Sequence, residues 1–160
     1  MTLLKIAVWS GLLLTAAAPA MADEVWNTNT GRVVYEAEMG PTAVWTYGSQ
    51  QDPGVIYVLG LAKVYENRGS YSGYWAKNNS KQACDTVRPG IFGKMTPYWG
   101  RFNVRFIDKD FPSRWEATWS YCDGEDQPLK VEATPLVGDT QAPQGQAQPQ
   151  QPQNNAGGTQ

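Results

Sequence analysis

The sequence contains no histidine and only two cysteines. Without histidine, neither a Ser-His-Asp triad nor a Cys-His pair can be built, and metal sites that need imidazole are excluded too. The two cysteines are not arranged as C-x-x-C, and two thiolates alone do not complete a zinc site. We therefore expect no metal, no cofactor and no catalytic residue of these classes.

Basic charge is also scarce. The chain has 13 Lys and Arg against 15 Asp and Glu, a formal net charge of −2. A nucleic-acid-binding protein needs a clustered basic face that attracts phosphates. Binding to nucleic acid is not expected.

Long apolar runs are absent, except for 13 residues at positions 6–18. A membrane-spanning helix needs about 20 apolar residues, so no membrane span is expected. Lys5 precedes the run, and Ala20-Met21-Ala22 follows it with small residues at the positions that signal peptidase reads. We interpret residues 1–22 as a cleavable signal peptide and predict a periplasmic or secreted protein.

Export places Cys84 and Cys122 in an oxidising compartment, where a lone pair of cysteines usually forms one disulfide. The bridge would close a loop of 39 residues. The chain-entropy argument gives such a loop roughly 4 kcal/mol of stabilisation.

Composition changes sharply near Gly138. Residues 141–160 contain eight Gln and three Pro but no charged or aromatic residue. Such a segment cannot bury enough apolar surface to offset its ordering entropy. We predict a disordered tail at 138–160, after one domain at 23–137.

Within that domain the apolar residues recur with a period of two. Phe102, Val104 and Phe106 alternate with polar residues, and so do Trp115, Ala117, Trp119 and Tyr121. This alternation is typical of half-buried strands. The sequence therefore predicts an all-β domain, a single antiparallel barrel or sandwich of seven to eight strands. Strands are predicted at residues 32–39, 43–47, 55–62, 70–77, 100–107, 114–122 and 129–134, and a long loop at 78–97.

The aromatic residues are the main candidates for a binding site. Tyr71, Tyr74, Trp75 and Trp99 could stack on an apolar ligand or a sugar if they line a concave surface. Core packing is the competing interpretation, and it is favoured for Trp115 and Trp119 because they share a strand face with Ala117.

Acidic residues gather in two connections, one with Asp108 and Asp110 and one with Asp123, Glu125 and Asp126. Paired carboxylates can perform acid–base catalysis, and acidic loops can hold calcium. Ordinary turn chemistry explains these residues better.

Two short segments resemble the C-type lysozyme inhibitors, which are small periplasmic β proteins. They are Val34-Tyr35 and the stretch Gly69 to Lys77, followed by Cys84. The run of Gly- and Trp-containing strands is also similar in style to lipocalin- and avidin-like barrels. No site residue follows from either resemblance.

We therefore expect an exported, non-enzymatic β domain that binds a small ligand or a partner protein in the cell envelope. Two alternatives remain open. One is a carboxylate-dependent glycan hydrolase, and the other is a structural accessory protein of the envelope.

Overall fold

The computed structural model describes residues 24–137. The predicted signal at 1–22 and the predicted tail at 138–160 lie outside the described residues. The strands, in chain order, are β1 Val25–Thr28, β2 Gly31–Met39, β3 Thr42–Gly48, β4 Pro53–Leu59, β5 Ser70–Lys77, β6 Arg88–Pro89, β7 Met95–Thr96, β8 Trp99–Phe106, β9 Trp115–Trp119 and β10 Val131–Pro135.

Eight of these strands form one closed antiparallel barrel in the order β1-β10-β9-β8-β5-β4-β3-β2. Closure depends on β1, which pairs with β2 on one side and with β10 on the other. The all-β prediction is confirmed, and the choice between barrel and sandwich is settled as a barrel. Strand β1 was missed because it has only four residues and only two of them, Val25 and Trp26, are apolar.

The period-two pattern places one row of each strand inside the barrel. In β8, Phe102, Val104 and Phe106 are buried while Arg101, Asn103 and Arg105 are exposed, as predicted. Strand β2 departs from the prediction. A β-bulge between Tyr35 and Ala37 breaks the alternation, so Ala37 and Met39 are exposed instead of joining Val33 inside.

Strand β4 is buried on both faces, which explains its continuous apolar run. Ile56 and Val58 belong to the barrel core, whereas Val55 and Tyr57 face outward. The outward pair packs with Ala76 and Trp99 under the segment between β5 and β8. The sequence predicted only a loop in that segment, but strands β6 and β7 form a small two-stranded hairpin there.

The predicted disulfide between Cys84 and Cys122 is confirmed. It ties the segment after β5 to the chain just beyond β9, and the Cys84 amide donates to Pro97 O at 2.8 Å. The cross-link therefore holds the outer layer against the barrel.

Replacing both cysteines (Cys84→Ser with Cys122→Ser) should lower the free energy of unfolding by about 2–4 kcal/mol, since the 39-residue loop is then free in the unfolded chain. Denaturant unfolding followed by tryptophan fluorescence measures this. The exposed substitution Ser72→Ala serves as the control. An unchanged unfolding midpoint in the double variant would contradict the expected role of the bridge.

The two ends of the barrel differ. At one end, which we call the closed end, the connections at 40–41, 60–69 and 107–114 meet. Arg68 lies there with only 1% of its surface exposed and pairs with Glu24, itself 5% exposed. Arg68 also donates to Ser113 Oγ at 3.3 Å, while Trp26 Nε1 donates to Ser113 O at 2.8 Å. These buried side chains fill the closed end of the barrel.

Candidate functional site

A cavity of about 560 Å³ occupies the opposite end of the barrel, which we call the open end. Its wall residues come from inward rows of seven different strands or their immediate extensions. The aliphatic and phenyl part of the wall consists of Val33, Ile56, Phe102 and Val131. The remaining wall is formed by the larger aromatic residues Tyr47, Trp75, Trp115, Trp119 and Tyr121. The cavity is therefore mainly apolar and aromatic.

Two glycines make room for aromatic side chains in this wall. A Cβ at Gly100 would lie 1.8 Å from Ser120 O and 2.7 Å from Trp75 Nε1. A Cβ at Gly54 would lie 2.2 Å from the Tyr47 ring. Because glycine has no side chain, Trp75 can lie against β8 and donate from Nε1 to Ser120 O at 2.8 Å.

Three of the aromatic rings pack against one another edge to face. Trp75 lies 6.2 Å from Trp119 and 5.7 Å from Tyr121, and Trp119 lies 5.3 Å from Tyr121, between ring centroids. Their interplanar angles are 71–83°. Edge-to-face contacts add to the stability that burial gives. The wall is therefore a preformed surface, whose rings are held by one another.

Polar residues surround the mouth of the cavity: Thr30, Asp52, Lys77, Asn79, Ser80 and Lys81. Lys77 continues the inward row of β5 above Trp75, and its ammonium forms an ion pair with the exposed carboxylate of Asp52. The same ammonium lies 5.8 Å from the centroid of the Tyr47 ring. Within residues 24–137, Lys81 forms no ion pair. The mouth thus carries two cations and one anion.

Tyr47 connects the mouth to the apolar wall. Burial, together with the nearby Asp52 carboxylate, raises the pKa of Tyr47 well above its ordinary value of about 10. Burial likewise raises the pKa of Tyr74, on the outer surface, to about 12. Both phenols are therefore more stable in their neutral form in the folded protein than in the unfolded chain.

Because the pKa of the phenol is higher in the folded state, the unfolded chain loses the phenol proton first as the pH rises, and this favours unfolding. The contribution to stability is therefore complete below the unfolded pKa of about 10 and is lost as the pH rises toward the folded pKa. We expect the free energy of unfolding to fall above about pH 10, and Tyr47→Phe to reduce that fall. Denaturant titrations at pH 8, 10 and 11 measure it. An identical pH dependence in the two proteins would rule out a contribution from Tyr47.

The four predicted binding residues do not form one surface. Tyr71 and Trp75 face the barrel interior, but only Trp75 lines the cavity. Tyr71 packs on Phe106 at 6.0 Å, toward the closed end. Tyr74 and Trp99 lie outside the barrel, where Tyr74 stacks on Tyr57 at 4.9 Å and Trp99 is covered by the outer layer.

Four of the tyrosines and tryptophans in the cavity wall were not among the predicted binding residues: Tyr47, Trp115, Trp119 and Tyr121. The sequence did contain a signal for three of them. Trp115, Trp119 and Tyr121 follow the alternation of a single inward row, in which Trp115 and Trp119 were interpreted as core. That row begins in the packed core and reaches the mouth, so it contributes both to the core and to the cavity wall.

The acidic connections are stabilised by local contacts. Asp108 accepts hydrogen bonds from Arg114, which lower the pKa of this carboxyl to about 2. Asp110 Oδ1 accepts from the Asn67 amide at 3.0 Å, and Asp126 lies 3.5 Å from Arg101. Among the described residues, no group of three or more His, Cys, Asp or Glu side chains is arranged to hold a metal ion.

In residues 24–137, no helix is long and apolar enough to cross a membrane. Comparisons with protein-family models, with curated proteins and with solved structures find no match for this chain. The geometry of the barrel is therefore the basis for the functional proposal.

Proposed function

We propose that this domain is an exported binding protein that takes up a small, mainly apolar molecule in the open end of its barrel and catalyses no reaction on it. The observation that carries this proposal is the cavity of about 560 Å³, with an apolar and aromatic wall and a polar mouth. Ligand pockets are typically concavities of about 300–1,000 Å³ with such a lining.

The contrast between the two ends supports a binding role. The closed end is filled by large side chains and by the buried Arg68–Glu24 pair. The open end keeps free volume although the chain supplies tryptophans on the same inward rows. Protein interiors are otherwise packed as densely as organic crystals, so a cavity of this size is a specific feature of the open end.

A binding role also agrees better with the cavity than a glycan hydrolase does. Glycoside hydrolysis usually needs two carboxyl groups that face each other about 5–9.5 Å apart. Among the described residues that line the cavity, Asp52 is the only carboxylate, and it is paired with Lys77.

Titration with N-phenyl-1-naphthylamine, a neutral apolar dye that brightens in apolar surroundings, tests the proposal. We expect saturable binding of one dye per chain, and its loss when the protein is unfolded by denaturant. Absence of saturable binding would contradict the proposal.

Contact with a partner protein is a second candidate function, favoured by the outer hairpin. Phe92, between β6 and β7, is fully exposed and has a positive φ of 53°, a strained conformation for a bulky residue. The hairpin is held in place because Tyr57 OH donates to Gly90 O at 2.8 Å and Arg88 stacks 4.0 Å from the Trp99 ring. An exposed aromatic side chain on a hairpin that is held in place suits insertion into an apolar pocket of another protein.

A photo-crosslinking amino acid at position 92 tests this second candidate in the envelope of the source cell. One defined protein adduct is expected at position 92 and none at the exposed control position 72. Adducts that are equal at both positions, or absent at both, would contradict it.

A further inference from the structure

Six tryptophans lie within residues 24–137, and their indole N–H groups differ in whether they have a hydrogen-bond acceptor. Four of them donate to backbone carbonyl oxygens at 2.8–3.0 Å: Trp26 to Ser113, Trp75 to Ser120, Trp99 to Thr86 and Trp119 to Leu129. This agrees with the general rule that buried polar groups find partners. The remaining two tryptophans are therefore exceptions that require an explanation.

Those two are Trp45 and Trp115. Both indole N–H groups are buried, and neither has an acceptor among residues 24–137. The two rings lie 5.2 Å apart, centroid to centroid, but they cannot satisfy each other because an indole nitrogen only donates. Leaving a buried donor unpaired is unfavourable, so an acceptor from outside this chain would stabilise it.

Trp115 is the one of the two that lines the cavity. It projects inward from β9, and only 1% of its surface is exposed. The other two tryptophans of the wall, Trp75 and Trp119, already use their N–H groups on backbone carbonyls. Among the wall tryptophans, Trp115 thus offers the one unpaired donor within the described part of the chain.

We propose that the ligand is a lipophilic molecule that carries a hydrogen-bond acceptor, a carbonyl or ether oxygen, and that the Trp115 indole N–H donates to this oxygen inside the barrel. This inference rests on the proposed function, because it needs a ligand in the cavity. It adds a chemical class to that function. A pure hydrocarbon of the same shape fills the cavity but leaves the N–H unpaired.

The energy of one such hydrogen bond sets the expected selectivity. A neutral hydrogen bond gains enough, net of solvent, to change an affinity by about three- to tenfold. The carbonyl compound also loses more hydration than the hydrocarbon when it binds. For that reason the affinity ratio is compared between protein variants and not read from one protein alone.

The experiment uses two probes of nearly equal shape, 2-acetylnaphthalene and 2-ethylnaphthalene, which differ by a carbonyl oxygen. Their dissociation constants are measured for the natural protein, for Trp115→Phe and for Trp45→Phe. The preference for the ketone should fall about three- to tenfold in Trp115→Phe. It should persist in Trp45→Phe, a matched variant whose altered ring does not line the cavity.

A second measurement on the natural protein does not depend on any variant folding. In a ¹H–¹⁵N spectrum, the Trp115 indole resonance should move downfield with the ketone and not with the hydrocarbon. The Trp26 indole, already bonded to Ser113 O at the closed end, should give the same small response to both probes.

The outcomes separate the two levels of the proposal. One outcome is that both probes bind with the same ratio of dissociation constants in all three proteins, with no difference between them in the Trp115 resonance. That result would disprove the hydrogen bond from Trp115 to the ligand and leave the proposal of binding in the barrel intact. If neither probe binds, the proposed function fails and the acceptor fails with it.

Discussion

Replacing Arg68 by methionine should destabilise the protein by about 3–5 kcal/mol, because it leaves the Glu24 carboxylate buried without its counter-charge. Glu24 is 5% exposed, and both its oxygens accept hydrogen bonds from the Arg68 guanidinium. The substitution also removes the hydrogen bond from Arg68 Nε to Val64 O. Urea unfolding followed by circular dichroism measures the loss.

Two further variants identify the cause of that loss. Adding Glu24→Gln to Arg68→Met removes the stranded charge and should recover part of the stability. Arg105→Met is the matched control, since Arg105 pairs with Glu116 at 2.8 Å on the surface with its side chain 61% exposed. An exposed pair is worth about 1 kcal/mol or less. Equal losses in Arg68→Met and Arg105→Met would contradict the importance of the buried pair.

Filling the cavity should abolish ligand binding without unfolding the barrel. Val33→Trp together with Val131→Trp places two large side chains on the cavity wall, where both valines project inward. We expect the affinity for N-phenyl-1-naphthylamine to fall at least about a hundredfold, since the dye and the new rings compete for one space. Overpacking strain of about 1–3 kcal/mol accompanies the change, so circular dichroism must confirm the fold.

The control for this variant uses the neighbouring positions on the same two strands. Val34 and Glu132 alternate with Val33 and Val131 and face out of the barrel. Val34→Trp with Glu132→Trp therefore adds the same side chains to the outer surface. Retained binding in the filled variant, or equal loss in the control, would place the dye site elsewhere.

The parts of the fold that were predicted correctly are those that can be recognised without knowing which strands pair. The alternation in β8, with Phe102, Val104 and Phe106 on one face, is a property of neighbouring residues and was predicted correctly. The pairing of Cys84 with Cys122 followed from their being the only two cysteines. Both conclusions need no knowledge of which strands become neighbours.

The features that were missed depend on distant parts of the chain. Closure joins β1 to β10, with Asn27 opposite Thr134, and no short-range pattern reports this pairing. The Arg68–Glu24 pair likewise connects residues 44 positions apart. The bulge after Tyr35 shifts the register of β2 by an amount that the alternation alone does not specify.

The candidate site was the hardest part to predict, for a related reason. Alternation shows that Tyr74 and Trp75 face opposite ways, but it does not show which way is inward. It also gives no position along the barrel axis, so Tyr71 at the closed side and Trp75 in the cavity looked equivalent. The cavity itself results from the volumes that eight strands leave unfilled, which no single segment of the sequence encodes.

The most direct test of binding inside the barrel is to locate a bound probe by intermolecular nuclear Overhauser effects in the complex with 2-acetylnaphthalene. The proposal predicts contacts from the probe protons to the methyl groups of Val33, Ile56 and Val131 inside the barrel. It predicts none to Val44 and Val55 in the outer layer. Contacts confined to the outer layer, or a saturated complex with no contact to the methyl groups of these three interior residues, would contradict it.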